Sequence, residues 1–110
     1  MNREAPETLR IDLGERSYPI VVGEGLLGHA ELLVRHVTAR DALVVTNETV
    51  GPLYAQRLLT ALPGKRVGSI ALPDGERYKT LEVLGRVFDA LVEARLNRDA
   101  CVLALGGGVV

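Results

Sequence analysis

The sequence is poor in cysteine and has no long apolar run. Its single cysteine, Cys101, excludes a disulfide within the chain and is typical of a reducing compartment. Because Cys101 lies in an apolar run, we interpret it as a small core residue rather than a reactive thiol. No apolar run approaches the roughly 20 residues of a membrane helix, and residues 1–7 lack the apolar stretch of a signal peptide. These absences predict a cytoplasmic chain with no membrane partner.

The sequence also lacks an excess of charge and the usual clusters of catalytic residues. Thirteen basic and fourteen acidic residues give a formal net charge of −1, so we predict no nucleic-acid partner. His29 and His36 would lie about 10 Å apart along one helix, too far for a single metal ion without further ligands. We expect both to be surface residues. No Ser/His/Asp or Cys/His arrangement for covalent catalysis is visible.

The pattern of apolar residues predicts an α/β fold. Residues 8–13 and 17–22 read as two strands joined by a turn, which predicts an antiparallel hairpin at the start of the domain. After the hairpin, helical spacing alternates with short apolar runs. We predict helices over 26–37, 52–62 and 84–92, and strands over 41–46, 67–72 and 101–105. This alternation is typical of a Rossmann-like parallel sheet with right-handed crossovers.

The third predicted helix has a wide apolar stripe. We expect its buried face to comprise Leu84, Val87, Phe88, Leu91 and Val92.

Polar or glycine-rich loops follow the three predicted parallel strands. They are Asn47-Glu48-Thr49, Pro73–Lys79 and Gly106-Gly107-Gly108. Ligands bind at the carboxyl ends of strands in such sheets, so the loops form one site if strands adjacent in sequence are neighbours in space. Carboxylates there can accept hydrogen bonds from ribose hydroxyls, a lysine can face a phosphate, and glycine lets a ligand approach the main chain. An ordinary solvated turn remains the alternative for Asp74-Gly75 and for the glycine triplet.

A second glycine-rich segment, residues 23–28, has the form G-x-G-x-x-G, and Glu48 lies twenty residues after it. This is the written form of a dinucleotide-binding fingerprint. In a true fingerprint the preceding strand is central and parallel, whereas the strand before Gly23 carries Pro19 and belongs to the hairpin. We therefore interpret residues 23–28 as a glycine-rich turn ahead of a helix.

Three segments together resemble the 3-dehydroquinate synthase family. They are residues 16–27, the string 72–82 and residues 98–110, and the likeness extends over nearly all of the chain from about Leu9. The string P-D-G-E-x-Y-K-T-L-E is the most specific of them. The glycine triplet is less specific, since glycerol dehydrogenases and iron-type alcohol dehydrogenases carry a similar one, and other sugar-phosphate cyclases are also close relatives.

The resemblance implies that residues 1–110 are an incomplete N-terminal NAD-binding domain of a longer, two-domain enzyme. It implies NAD as the cofactor, together with a divalent metal, zinc or cobalt, held by a C-terminal helical domain outside these residues. The resemblance places most catalytic side chains in that domain too, so we expect no catalytic residue among residues 1–110. In the family Asp74, Glu76 and Lys79 would meet the adenosine ribose, while the glycine loop passes along the pyrophosphate. The full set of implied cofactor-binding residues is Asn47, Glu48, Thr49, Asp74, Gly75, Glu76, Arg77, Tyr78, Lys79, Gly107, Gly108, Val109 and Val110.

The activity implied for the complete enzyme is the NAD-dependent cyclisation of 3-deoxy-D-arabino-heptulosonate 7-phosphate to 3-dehydroquinate with release of phosphate. This reaction belongs to the shikimate pathway of aromatic amino acid biosynthesis. The implied partners are the small sugar acid phosphate and a second copy of the chain in a homodimer. Two alternatives stay open, namely a metal-dependent polyol dehydrogenase on the same scaffold and a free-standing nucleotide-binding module.

Overall fold

The computed structural model describes residues 7–96 and 99–107. The strands are β1 (Glu7–Ile11), β2 (Tyr18–Val22), β3 (Asp41–Asn47), β4 (Arg66–Leu72) and β5 (Cys101–Ala104). The helices are α1 (Ala30–His36), α2 (Gly51–Thr60) and α3 (Leu81–Glu93). Their order is the one that the apolar pattern predicts, which confirms the α/β class. No helix in the described part of the chain is long and apolar enough to cross a bilayer.

Strands β1 and β2 form the predicted antiparallel hairpin. Pro19 lies opposite Arg10, and proline is tolerated there because the sheet has only two strands and both are edges. Leu9, Ile20 and Val22 share one face of the hairpin and are 58%, 42% and 57% exposed. The described residues therefore leave the apolar face of the hairpin uncovered.

Strands β3, β4 and β5 form a parallel sheet in the order β4-β3-β5. The β3–β4 register runs from the Asp41–Arg66 pair to the Asn47–Leu72 pair. Strands adjacent in sequence are therefore neighbours for β3 and β4 but not for β4 and β5. The chain leaves β4, crosses β3 through α3, and returns on the far side of β3 as β5. All three strands still end at the same edge, because they are parallel.

The hydrophobic core lies on both faces of β3, whose residues from Ala42 to Asn47 are all buried. Side chains alternate along a strand, so Val44 packs on one face while Leu43 and Val45 pack on the other. The Val44 cluster includes Leu58 of α2, and the other cluster includes Val87 of α3. The result is a helix–sheet–helix sandwich with β3 at its centre.

An ion pair joins the first residues of β3 and β4. Arg66 donates from Nε and Nη2 to the two carboxylate oxygens of Asp41, at 3.2 and 3.0 Å. These hydrogen bonds lower the pKa of the Asp41 carboxyl below its ordinary value. Arg66 also donates to the Arg95 carbonyl oxygen at 3.2 Å, which brings the chain after α3 close to the same strand end.

The first predicted helix, over 26–37, is divided. Leu26–Gly28 forms a 3-10 turn, and α1 begins only at Ala30. Glycine is a poor helix former, and Gly28 lies at the point where the regular helix would have to continue. The side chain of His29 caps α1 by accepting the Leu32 amide at 3.1 Å. The interpretation of residues 23–28 as a turn is confirmed, because the strand before them belongs to the antiparallel hairpin.

The buried stripe predicted for the third helix is only partly correct. Val87 is buried and Leu91 half-buried, as expected. Leu84, Phe88 and Val92 were expected inside, but they are 45%, 57% and 77% exposed. Within the described residues, α3 covers the β3–β4 side of the sheet, and its apolar stripe is wider than the surface it covers.

Candidate nucleotide-binding site

Three loops meet at the carboxyl edge of the parallel sheet. The first follows β3 at residues 48–50, the second follows β4 at residues 73–80, and the third follows β5 from residue 105. Because the strand order is β4-β3-β5, the β3 loop lies between the other two. The predicted sharing of one edge is confirmed, although the order of the loops along it differs from their order in sequence.

The β3 loop is held by the side chain of Asn47, which is only 7% exposed. Its Oδ1 accepts the amide hydrogens of Thr49 and Val50 at 3.0 and 2.7 Å. An asparagine that bonds the main chain just after itself creates a tight turn, and α2 begins directly afterwards at Gly51. Glu48 has an exposed side chain, and its amide bonds the Leu72 carbonyl at 3.0 Å.

The β4 loop is tied to the β3 loop through Asp74. One carboxylate oxygen accepts from Thr49 Oγ1 at 2.7 Å, and the other accepts from Asn47 Nδ2 at 3.4 Å. These partners lie 25 and 27 residues before Asp74 in sequence. Sequence reasoning missed this link, because no local pattern signals a contact between side chains so far apart.

Gly75 carries the sharp change of direction in the β4 loop. Its φ of +130° and ψ of 147° lie in a region that is essentially limited to glycine. The 3-10 turn Glu76–Tyr78 follows, and the Tyr78 amide donates to the Gly75 carbonyl at 3.1 Å. Asp74-Gly75 therefore forms a turn, as the alternative of an ordinary solvated turn predicts. The carboxylate of Asp74 is not simply solvated, however, because it accepts a hydrogen bond from the β3 loop.

Charged side chains lie on the outer side of this turn. Lys79 Nζ is 3.4 Å from Glu76 Oε2, and both side chains are exposed. The guanidinium of Arg77 lies 4.8 Å from the centre of the Tyr78 ring and donates to the Tyr78 hydroxyl at 2.9 Å. The turn therefore presents two cationic groups and a carboxylate where the resemblance implies contact with a nucleotide.

A groove of about 620 Å³ opens between the β4 loop, α3 and β5. Its lining includes the apolar residues Val45, Leu72 and Ala104, and also Tyr78 and Lys79, whose side chains carry polar groups. Its other lining residues are Pro73, Gly75, Thr80, Leu81, Val83, Leu84, Val87 and Val102. A mostly apolar cleft of this size with a few polar groups is typical of small-molecule sites.

Sequence reasoning did not single out several of these lining residues. Val102 and Ala104 are two apart on β5, so the period of a strand places them on one face, and this signal was available. Thr80 caps α3, its Oγ1 accepting the Val83 amide at 3.2 Å. A separate depression of about 490 Å³ lies between the 23–28 turn and α2, and no residue of the three loops lines it.

The β5 loop begins as predicted and then leaves the described residues. The Leu105 amide donates to the Val45 carbonyl at 2.9 Å, which extends the sheet by one hydrogen bond. Gly106 and Gly107 are exposed, and among the described residues a Cβ built on Gly107 would meet nothing within 4 Å. Within that part of the chain, the main chain at Gly107 is therefore open to a ligand. The other predicted members of this loop lie outside the described residues: Gly108, Val109 and Val110.

Among residues 7–96 and 99–107, no group of three or more His, Cys, Asp or Glu side chains could hold a metal ion. The metal that the resemblance implies thus has no ligand set in the part of the chain that the structure describes.

Sequence comparison identifies the relatives of the chain. A family model described as 3-dehydroquinate synthase N-terminal matches residues 69–110, which contain the β4 loop, α3 and β5. The 3-dehydroquinate synthase of Methylococcus capsulatus is 54% identical over 104 residues, which are 94% of this chain and 29% of that protein. Over nearly its whole length the chain is similar to 3-dehydroquinate synthases.

Other 3-dehydroquinate synthases match in the same way. The enzyme of Azotobacter vinelandii is 55% identical over 94% of this chain and 28% of its own length. The enzyme of Arabidopsis thaliana, whose name places it in the chloroplast, is 50% identical over 96% of this chain and 25% of its own length. The chain therefore spans between 25% and 29% of these three relatives. Their names favour a synthase over the polyol dehydrogenase alternative.

Comparison with solved structures supports the fold. A 2-deoxy-scyllo-inosose synthase, solved with carbaglucose-6-phosphate, NAD+ and Co2+, superposes with a TM-score of 0.74. The match covers 94% of this chain and 28% of that protein, at 20% sequence identity. At this identity the likeness establishes the α/β architecture alone.

Proposed function

We propose that the full-length protein is a 3-dehydroquinate synthase and that these residues supply part of its NAD site. The observation that carries the proposal is the convergence of three loops at one edge of the sheet, where the β4 loop lines a groove, in a chain whose relatives bear that name. The substrate would be 3-deoxy-D-arabino-heptulosonate 7-phosphate, and the products 3-dehydroquinate and phosphate. Residues 1–110 would form an incomplete N-terminal NAD-binding domain.

The residues present fit a dinucleotide. The groove has the volume and the apolar walls that a base and ribose require, and Lys79 lies where a polar group can reach a hydroxyl or phosphate. The exposed main chain at Gly107 suits the close approach of a pyrophosphate. The proposed contacts also include the β3 loop at 47–49, the β4 loop at 74–79, and Gly108, Val109 and Val110.

The chemistry supplied by NAD would be a hydride taken from one substrate carbon and later returned to it, so that no reduced cofactor accumulates. The task of this chain is to hold and orient the nucleotide, since we place no catalytic side chain in it. The divalent metal, zinc or cobalt, would be bound by residues beyond this part. We further propose a homodimer located in the cytoplasm.

An assay of the full-length protein tests the proposal. With 3-deoxy-D-arabino-heptulosonate 7-phosphate and NAD, phosphate should be released while the absorbance of NADH stays flat. NADH produced in proportion to the product would instead indicate a dehydrogenase, and glycerol should then serve as a substrate. Without phosphate release at any metal or NAD concentration, the synthase assignment would fail.

The gene sequence tests the remaining alternative. A free-standing nucleotide-binding module predicts a stop codon directly after residue 110, whereas the synthase requires an open frame. The 110-residue chain alone should have no synthase activity in either case.

A further inference from the structure

The carboxylate of Asp74 is directed at the neighbouring loop rather than into the groove. Both of its oxygens accept hydrogen bonds from the β3 loop, at 2.7 Å from Thr49 and 3.4 Å from Asn47. Its sequence neighbours Pro73 and Gly75 line the groove, as does Lys79, but Asp74 does not. Within the β4 loop, Asp74 therefore bonds the neighbouring loop, whereas Gly75 and Lys79 line the groove.

The hydrogen bonds of Asp74 belong to a connected network. Asn47 Oδ1 accepts the Thr49 and Val50 amides, and Asn47 Nδ2 donates to Asp74. The Thr49 hydroxyl donates to the second Asp74 oxygen, so the network runs from the end of β3 into the start of the β4 loop. Hydrogen bonds to a charged carboxylate are stronger than those between neutral groups. This network can therefore fix the position of one loop against the other.

Gly75 gives the β4 loop a backbone conformation that residues with a side chain rarely adopt, and glycine adopts it without strain. Because glycine is conformationally permissive, contacts on both sides of it are needed to fix the direction of the loop. On one side is the Asp74 carboxylate, bonded to the β3 loop, and on the other is the 3-10 turn that Tyr78 closes onto Gly75. The turn then brings Lys79 to the groove.

We propose that Asp74 is a positioning residue, which fixes the β4 loop to Thr49 and Asn47 so that Lys79 and the Gly75 main chain meet the nucleotide. The inference rests on the proposed NAD site and deepens it. It revises one of the contacts proposed above, because it gives Asp74 a role through its own chain in place of the direct contact with the adenosine ribose that the family resemblance implies.

A double-mutant cycle in the full-length protein tests the assignment, with NAD affinity measured by calorimetry. Asp74→Ala and Thr49→Val each remove the same hydrogen bond, so each should weaken NAD binding by about 3- to 30-fold. The double variant should bind NAD within about twofold of the weaker single variant, because the shared interaction is lost only once. If the fold-losses in NAD affinity of the two single variants instead multiply in the double variant, the two side chains act independently, and the proposal would be overturned.

A conservative variant separates positioning from simple damage to the loop. Thr49→Ser keeps the hydroxyl that donates to Asp74 and should restore NAD affinity to within about twofold of the wild type. Failure of Thr49→Ser to restore binding would contradict the network. If Asp74→Ala does not fold, Asp74→Leu, which has a similar branched shape but no oxygen to accept from Thr49, takes its place in the same cycle.

An analogue of NAD without the 2′-hydroxyl of the adenosine ribose gives an independent readout, and the 3′-deoxy analogue gives another. If Asp74 acts only through the loop, each missing hydroxyl should weaken binding by the same factor in the wild type and in Asp74→Ala. If a missing hydroxyl weakens binding to the wild type but not to Asp74→Ala, then Asp74 contacts the ribose directly, and the proposal would be overturned. Wild-type protein that binds no NAD would refute the nucleotide site itself, a result distinct from multiplying losses in a protein that does bind.

Discussion

The ion pair between Lys79 and Glu76 is too exposed to contribute much to the stability of the fold. Their charged groups are 3.4 Å apart, and their side chains are 47% and 74% exposed. Such pairs contribute at most about 1 kcal/mol to folding, and often nothing measurable. Lys79 lines the groove and Glu76 pairs with it, so we expect the removal of either residue to affect ligand binding more than stability.

Replacing Lys79 or Glu76 with alanine in the full-length protein should weaken NAD binding by about 1–3 kcal/mol, the usual cost of losing a hydrogen bond to a charged group. Calorimetric titration with NAD measures the change. Arg86→Ala, at an exposed position of α3 outside the groove, should leave the affinity unchanged. Wild-type affinity in both site variants would remove these residues from the site.

Gly75 and Gly85 differ in whether their backbone conformation is compatible with alanine. Gly75 has a φ of +130°, so Gly75→Ala should cost about 1–3 kcal/mol of backbone strain. Gly85 lies inside α3 with nothing within 4 Å of an added Cβ, and Gly85→Ala should stabilise by about 0.5–1 kcal/mol. Urea unfolding of the two variants should therefore shift the midpoint in opposite directions. Equal shifts of the same sign would refute the assigned backbone conformation of Gly75.

At the scale of elements, periodicity predicted the order and type of the helices and strands. It failed for the burial of Leu84, Phe88 and Val92, because a stripe tells which residues share a helix face and not how much sheet lies opposite. The sequence likewise placed each site loop at a strand end. It could not place β5 beside β3, since strand order depends on contacts between distant segments.

The two valines on α3 offer a direct test of which part of its stripe is buried. Val87 is 9% exposed and Val92 is 77% exposed. Val87→Ala should destabilise the 110-residue chain by about 1–3 kcal/mol, while Val92→Ala should change its stability by less than about 0.5 kcal/mol. Chemical unfolding followed by circular dichroism measures both. If Val92→Ala loses more stability than Val87→Ala, then α3 packs against the sheet through the side that carries Val92.

At the scale of the whole molecule, two groups of uncovered apolar side chains stand out in the part of the chain that the structure describes. One is the hairpin face with Leu9 and Val22, and the other comprises Val102 in the groove and Phe88 on α3, the helix that borders the groove. Each of these side chains is more than half exposed. Contiguous apolar surface of this kind promotes association in water.

The 110-residue chain should therefore self-associate at micromolar concentrations. Sedimentation velocity at increasing concentration measures the association. Phe88→Glu should reduce it, whereas Gln56→Glu adds the same charge at an exposed polar position of α2 and should not. A chain that remains monomeric across the concentration range would show that these surfaces do not drive association.

The β3–β4 pair is clamped at both ends, by Arg66 on Asp41 where the strands start and by Asp74 on Asn47 and Thr49 where they finish. A slip of one residue would shift one strand by about 3.3 Å and turn its core side chains to the opposite face. Both clamps would then lose their partners together. The alignment of the two loops at the groove therefore depends on pairing along the full length of β3 and β4. A change of register at the Asp41–Arg66 end would displace the residues at the proposed cofactor site.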